Sequence, residues 1–286
     1  MRVFITGATG FIGSHLINRL IRDESIQIVA NKRLPESKPR ITLNTEPTWC
    51  VKPICKITKE DLESVDILIH LAAHSANTPY DTLDNCLRYN YYDSRKLFDI
   101  AKDAGVQKFI ITGTCFEYGL SCNKFDFIPV TAPLLPIESY SKSKVEFFNW
   151  VQNDFCARKQ TTTSYLRLFQ VFGEGEKETR LWPSIKRAAI TNEALKTSKA
   201  EQIRDFVPVS LVVDRICEEI NADFIGLKIK NIGTGKQTTL KDFIEYWYNY
   251  FGGTQAIGFG EIQYKENEIM RIVSDESEVT VMSSDC

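Results

Sequence analysis

The stretch Arg2-Val3-Phe4-Ile5-Thr6-Gly7-Ala8-Thr9-Gly10-Phe11-Ile12-Gly13 limits what this chain can become more than any later one. Val3 to Ile5 is a short, β-rich apolar run that suits a buried strand. Three glycines follow at three-residue intervals, and from Phe11 onward Ile12, Leu16, Ile17, Leu20 and Ile21 recur at helical period. A strand, a tight turn and a helix N-terminus in that order make an anion site. Gly7 permits the turn, Gly10 lets the backbone approach a pyrophosphate, and Gly13 lets helix and strand pack closely. Free amides and the positive end of the helix dipole face the phosphates. A bare three-glycine pattern also arises by chance. Its place directly after a strand and before an amphipathic helix points to dinucleotide binding, with Thr9, Phe11 and Ile12 beside the glycines in the cofactor turn.

At 286 residues the chain has room for one large domain or two modest ones. Its net charge of −2 suggests neither a nucleic-acid nor a membrane-surface partner. No apolar run approaches the length of a membrane span, and the first apolar residues are the strand itself rather than a signal peptide. Eight cysteines are scattered without a CxxC pair, and the only histidines are His15, His70 and His74, so no metal site is expected. Reduced thiols of a cytoplasmic protein are the expectation.

A second strand is predicted at Ile26 to Ala30. The residue just past it faces the adenosine ribose in a dinucleotide fold. Here the run is Asn31-Lys32-Arg33. Two cations and a neutral amide favour a 2′-phosphate, hence NADP(H) over NAD(H), with Arg33 the main cause; a solvated basic turn is the alternative. Residues 35–53 read as a loop broken by Pro35, Pro39 and Pro47, followed by a weak strand and a short helix near 59–64. Ile67 to Leu71 is a buried strand. Leu71, Ala72 and Ala73 at its end leave room for a cofactor, while His70 and His74 suit packed or loop-edge positions. A helix over 84–104 contains Asn90 and stops at Gly105. Strands follow at 108–112, 163–167 and 228–232, and helices at 183–191 and 239–251, the last opening on a threonine cap. Residues 207–223 read as a return to the cofactor domain. The aromatic cluster Tyr246, Trp247, Tyr248, Tyr250 and Phe251 suits a core or an interface. From Ser274 on, the tail is polar and aperiodic, and disorder is expected.

The strand at 108–112 leads into Gly113-Thr114-Cys115-Phe116-Glu117-Tyr118-Gly119, and farther on stands Ser139-Tyr140-Ser141-Lys142-Ser143-Lys144. Tyr140 and Lys144, four apart on a helix, share one face. A free tyrosine titrates near 10. A neighbouring ammonium stabilises the phenolate and lowers that value, which suits acid–base work on a carbonyl or alcohol. Lys144 can also hold a nicotinamide ribose, and Thr114 can hydrogen-bond the same substrate oxygen. Tyr-x-x-x-Lys alone is common; after the opening motif and a strand-end threonine it becomes specific.

On these residues, with His70-Leu71-Ala72-Ala73, Asn90, Arg167-Leu168-Phe169, Arg204-Asp205-Phe206 and Asn231-Ile232-Gly233, nearly the whole chain resembles an extended short-chain dehydrogenase/reductase of the nucleotide-sugar epimerase/dehydratase group. The resemblance implies an α/β fold, a Rossmann-like doubly wound parallel sheet with a smaller, discontinuous C-terminal substrate lobe. Residues 1–167 and 206–232 would form the dinucleotide-binding domain, and 168–205 and 233–286 the lobe. It makes Thr114, Tyr140 and Lys144 the catalytic trio, adds Leu168 and Phe169 to the cofactor site, and implies a dimer built from two helices per subunit. The 4,6-dehydratases of the group carry Asp-Glu directly after the threonine, where this chain has Cys115-Phe116, so loss of water is disfavoured. Epimerase-reductases of the GDP-fucose type place a cysteine where Phe116 stands, which makes Cys115 a packed small residue. Retained NAD, as in 4-epimerases, fits Asn31-Lys32-Arg33 poorly. What remains is an NADPH-consuming 4-ketoreductase of a nucleotide-linked deoxyhexose.

Gly173-Glu174-Gly175-Glu176, Arg180-Leu181-Trp182-Pro183, Phe259-Gly260, Tyr264 and Met270-Arg271 are similar to the CDP-abequose and CDP-paratose synthase type. The resemblance puts Ser75, Cys115, Phe116, Gln170, Arg180, Leu181, Arg204 and Arg271 on the substrate. Gln170 replaces the family's usual Asn, and Pro208 replaces a usual His. The rival readings are a nucleotide-sugar 4-epimerase with retained NAD and a catalytically silent cofactor-binding regulator.

Overall fold

A computed structural model describes residues 1–157, 161–264, 268–275 and 277–281. In chain order its elements are β1 (Arg2–Thr6), α1 (Phe11–Leu20), β2 (Gln27–Lys32), β3 (Thr48–Val51), β4 (Ile67–His70), α2 (Leu83–Leu87), α3 (Asp93–Asp103), β5 (Lys108–Thr114), α4 (Ser139–Trp150), β6 (Thr162–Leu168), β7 (Gln170–Phe172), α5 (Leu181–Thr191), β8 (Ile203–Arg204), β9 (Phe206–Pro208), α6 (Val209–Asn221), β10 (Gly226–Ile232), β11 (Thr238–Thr239), α7 (Leu240–Tyr250), β12 (Arg271–Ile272) and β13 (Glu278–Val281). A π-helical turn, Arg88–Tyr92, joins α2 to α3.

The main sheet runs β13-β10-β6-β5-β4-β1-β2-β3, parallel throughout except for the antiparallel β13 at one edge. Strands buried on both faces alternate their side chains between two cores. In β1, Val3 and Ile5 join the core under α1 and α6, while Phe4 joins the one under α3 and α4. Strand order reverses between β1 and β4, so their carboxyl ends diverge and leave a crevice. A third apolar cluster, built on Trp182 and Ile185 of α5 and Phe243, Ile244 and Tyr248 of α7, supports a smaller lobe. Among the described residues no helix is long and apolar enough to cross a membrane.

Three sequence expectations change. The loop predicted over 35–53 contains β3, which extends the sheet beside β2. The tail expected to be disordered from Ser274 on carries strand β13 (Glu278–Val281). Ser274 is buried, and β13 pairs with β10 in the main sheet rather than in the lobe to which 233–286 is assigned. Residues 276 and 282–286 of that tail lie outside the described residues. In place of the weak strand and short helix predicted between residue 53 and β4 stand two 3-10 turns, Ile54–Lys56 and Glu60–Leu62.

Candidate active site

The crevice at the strand-order reversal opens into a cleft of about 470 Å³. Its floor is the opening glycine turn. Gly7 has φ +67, and a Cβ there would lie 2.7 Å from the backbone N of Ala72. A Cβ on Gly13 would strike the Gly7 carbonyl oxygen and sit 2.8 Å from Ala8 Cα. Glycine at these two positions is therefore required by close approach of backbone to backbone. A Cβ on Gly10 would meet only Gly7, which leaves its outer side open to a ligand. The donor set, a glycine turn on a helix N-terminus, fits a dinucleotide pyrophosphate.

Thr9, Phe11, Ile12, Leu71, Ala72, Ala73, Leu168 and Phe169 line this cleft, as their sequence positions suggested. The Asn31-Lys32-Arg33 run divides. Asn31 and Arg33 line an adjoining pocket of about 210 Å³ that shares Gly7, Thr9, Ala72 and Ala73 with the cleft. Asn31 is buried and donates its amide to the carbonyls of Cys50 (3.1 Å) and Lys52 (2.9 Å), so it binds β2 to β3. Lys32 instead lies over the Trp49 ring, 5.1 Å from its centroid, and donates to the Pro35 carbonyl. Arg33 is the cation of the run that reaches the pocket. Arg40, which sequence reading did not single out, lines the main cleft from the loop before β3.

Tyr140 stands in the first turn of α4 with its side chain on the cleft wall. Its ring stacks on Tyr80, centroids 6.1 Å apart and 9° from parallel. Lys144, one turn on, is buried beneath and donates to the Thr112 carbonyl at 2.7 Å. Thr114 ends β5 on the same cleft, and its hydroxyl oxygen accepts from the Phe116 amide. The helix that carries Asn90 sets this geometry: the Asn90 amide donates to Ser143 of α4 at 2.9 Å and to the His74 carbonyl at 3.0 Å. His70 is sealed between Thr6 and Ser94, and burial, with the charge of Lys144, lowers its pKa to about 3. It packs as a neutral residue, and His74 pairs with Asp81 at the loop edge.

The electrostatics of Tyr140 differ from the sequence expectation. Burial, with Glu117, Tyr80 and Cys115 acting in the same sense, raises its phenol above the ordinary value, against the pull of Arg180. Burial instead lowers Lys144 to about 8, against the pull of Glu117. Desolvation outweighs the helical neighbour because both groups are shut off from water.

Behind the cleft lies a buried network that sequence reading missed. Glu117 accepts from the Thr114 amide (2.9 Å), the Tyr165 hydroxyl (2.9 Å) and Arg167 Nε (2.8 Å), and so clamps the end of β5. Asp205, also buried, accepts from the backbone of Thr234, Gly235 and Ser274. A Cβ on Gly233 would collide with its carboxylate, which ties Arg204-Asp205-Phe206 to Asn231-Ile232-Gly233.

Of the residues expected on the substrate, Phe116, Gln170 and Arg180 line the cleft and a neighbouring chamber of about 290 Å³. Arg204 lines that chamber too, with its guanidinium on Glu268 (3.1 Å) and the Ile269 carbonyl (2.7 Å). Leu181 lines an inner chamber of about 230 Å³. Ser75, Cys115 and Arg271 line none of these. The Ser75 hydroxyl accepts from the Asp81 amide, Cys115 is packed in the core, and Arg271 is turned to Gln237 and Asp126. Tyr80, Glu138, Glu176 and Glu268 line the site without having been anticipated.

The family model described as the NAD dependent epimerase/dehydratase family matches residues 3–232. CDP-abequose synthase of Salmonella muenchen is 26% identical over 288 residues, covering 98% of this chain and 90% of that protein. A probable UDP-arabinose 4-epimerase 3 of Arabidopsis thaliana is 28% identical over 282 residues, covering 85% of this chain and 67% of the relative. Among solved structures, TunA, described as an NAD dependent NDP-hexosamine 5,6-dehydratase involved in tunicamycin biosynthesis, superposes with a TM-score of 0.82 at 26% identity, covering 96% of this chain and 89% of its own. UDP-glucose 4-epimerase of Thermotoga maritima shares the fold with a TM-score of 0.84 at 23% identity, covering 97% of this chain and 90% of its own.

Proposed function

This chain belongs to the NAD dependent epimerase/dehydratase family, and from that premise we propose that it uses NADPH to reduce the 4-keto group of a nucleoside-diphosphate-linked 6-deoxyhexose. The nucleotide in this reading is CDP or dTDP, and the setting is deoxysugar biosynthesis. One observation carries it: next to Thr114 the cleft wall offers the Phe116 ring, with Cys115 packed away behind it. No acid–base pair directly follows the threonine to remove water across two carbons. Similarity to CDP-abequose synthase over 98% of this chain supports the deoxysugar assignment.

Bound along the glycine turn, the reduced nicotinamide supplies the hydride. The protein supplies the proton and the orientation. Tyr140 gives its hydroxyl proton to the sugar oxygen as that oxygen becomes an alkoxide. Burial keeps the phenol protonated at neutral pH, the form that a reduction consumes. Thr114 holds the same oxygen. Its own Oγ accepts from the Phe116 amide, which aims the hydroxyl proton elsewhere. Lys144, fixed on the Thr112 carbonyl, holds the nicotinamide ribose and stabilises the phenolate left by the transfer. Gln170, Arg180 and Arg204 face the diphosphate, which guanidinium groups match well. Arg33 meets the 2′-phosphate, whereas Asn31 serves the sheet and Lys32 the Trp49 ring. A homodimer through the α2–α3 and α4 helices would cover the exposed Leu83, Tyr89 and Tyr92.

The similarity to UDP-arabinose 4-epimerases favours a second reading, epimerisation with retained NAD. Incubating the protein with NADPH and CDP- or dTDP-linked 4-keto-6-deoxyhexoses separates the two. The reductase oxidises one NADPH per sugar and yields the 4-hydroxy product by NMR. Interconversion of sugars without net loss of NADPH would establish the epimerase instead.

A further inference from the structure

Buried polar atoms without a hydrogen-bond partner are rare in a folded chain, and those that exist ask for an explanation. Two of them, Glu176 Oε2 and Trp182 Nε1, belong to residues that line the inner chamber. Glu176 is only 8% exposed and stands on the wall shared by the main cleft and that chamber. Its other oxygen accepts from Arg180 Nε at 3.1 Å. Arg180 in turn is the one cation, among the described residues, that lines the cleft, the neighbouring chamber and the inner chamber together. Other charges surround the pair without touching it. Arg40 and Lys177 line the cleft, and Arg204 and the Tyr140 hydroxyl face it from β8 and α4. Glu174 is engaged by Lys186, His15 of α1 bonds the Glu174 carbonyl, and Glu178 and Arg187 lie on the outer side.

We propose that Glu176 holds Arg180 until a substrate diphosphate takes its place, and that Glu176 accepts a proton from solvent in the exchange. One guanidinium cannot fully serve a buried carboxylate and a diphosphate at once, and two anions sharing a poorly solvated site repel. Protonation removes the repulsion and lets the carboxyl, whose Oε2 has no partner, act as a donor. Burial already pushes the carboxyl up to about 7, with Arg180 opposing, so a modest loss of that opposition is enough to protonate it near neutrality. The sign follows from linkage. Above about pH 7 the free protein holds Glu176 ionised and must take up a proton to bind; below it the proton is already there. Affinity for the nucleotide sugar therefore falls as pH rises through neutrality. The inference rests on Arg180 as a diphosphate contact.

The test is calorimetric titration of the full chain with CDP-glucose and dTDP-glucose, whose diester phosphates do not titrate near neutrality. Runs in buffers of different ionisation enthalpy, at about pH 8 and about pH 6, report protons bound. The expected result is uptake of close to one proton at the higher pH and little at the lower. Glu176→Gln should bind with no uptake and, at the higher pH, about tenfold more tightly than the parent. Should that variant not fold, Glu176→Met serves, because it keeps much of the side-chain volume, carries no titratable group and leaves Arg180 in place, so uptake vanishes there too. Binding without uptake in the parent, or unchanged uptake in a folded variant, overturns the exchange and leaves the reductase reading standing. Absence of binding by a protein that still binds NADPH overturns both.

Discussion

The roles proposed for Tyr140, Lys144 and Arg33 can be tested separately from one another. Tyr140→Phe removes the proton and keeps the ring on Tyr80. Turnover should fall by about 10²-fold or more while NADPH affinity stays within twofold, as read by steady-state rates and fluorescence titration; a variant at full rate would acquit the phenol. Lys144 has been lowered to about 8, so it is an ammonium below that pH and neutral above it. If the ammonium is needed, kcat/KM falls as pH rises through about 8. A limb displaced to the ordinary lysine range, near 10, would show that the buried lysine is not the group being titrated. Arg33→Ala should weaken NADPH by about tenfold and leave NADH unchanged. Equal affinity for the two cofactors in the parent protein would remove the phosphate contact altogether.

Elements show most plainly why the sequence was readable where it was. The β1–turn–α1 unit carries its instructions locally: an apolar strand, glycines and a helical stripe. The structure starts α1 at Phe11 as expected and extends the strand by one residue at each end, to Arg2–Thr6, with Gly7 and Gly13 pressed against backbone. Gly7→Ala should therefore cost about 1–3 kcal/mol in thermal or urea unfolding, since its φ of +67 and the nearby Ala72 backbone leave a Cβ no room. β3 and β13 escaped notice for a common reason. Both are four-residue edge strands with partly exposed side chains, held by backbone pairing to β2 and β10 rather than by an apolar pattern. Tyr140 and Lys144 were legible because one helix turn joins them. Glu117 was not, because its value lies in Tyr165 and Arg167, some 50 residues on. Removing its charge by Glu117→Leu would strand Arg167 in the core, an expected loss of about 3–5 kcal/mol by urea unfolding. A loss near zero would mean that the guanidinium finds water. Lys32 misled for the opposite reason: its charge was visible, but the Trp49 ring that claims it was not.

For the whole molecule, the strand-order reversal between β1 and β4 sets where the cleft opens, and the α5–α7 lobe flanks it, with Arg180 and Arg204 lining the adjoining chamber. The two units divide the lining of the site: the sheet brings the glycine turn and Tyr140 of α4 to one cleft, and the lobe adds cations to its walls. Whether this arrangement performs a net reduction is decided by where the new hydrogen on the sugar comes from. The direct measurement is the product NMR after turnover of a 4-keto-6-deoxyhexose nucleotide with NADPH deuterated at the transferable position of its nicotinamide. The account predicts one deuteron at sugar C4, with one oxidised cofactor per product. Product formed with no deuterium at C4 and no oxidised cofactor would contradict it.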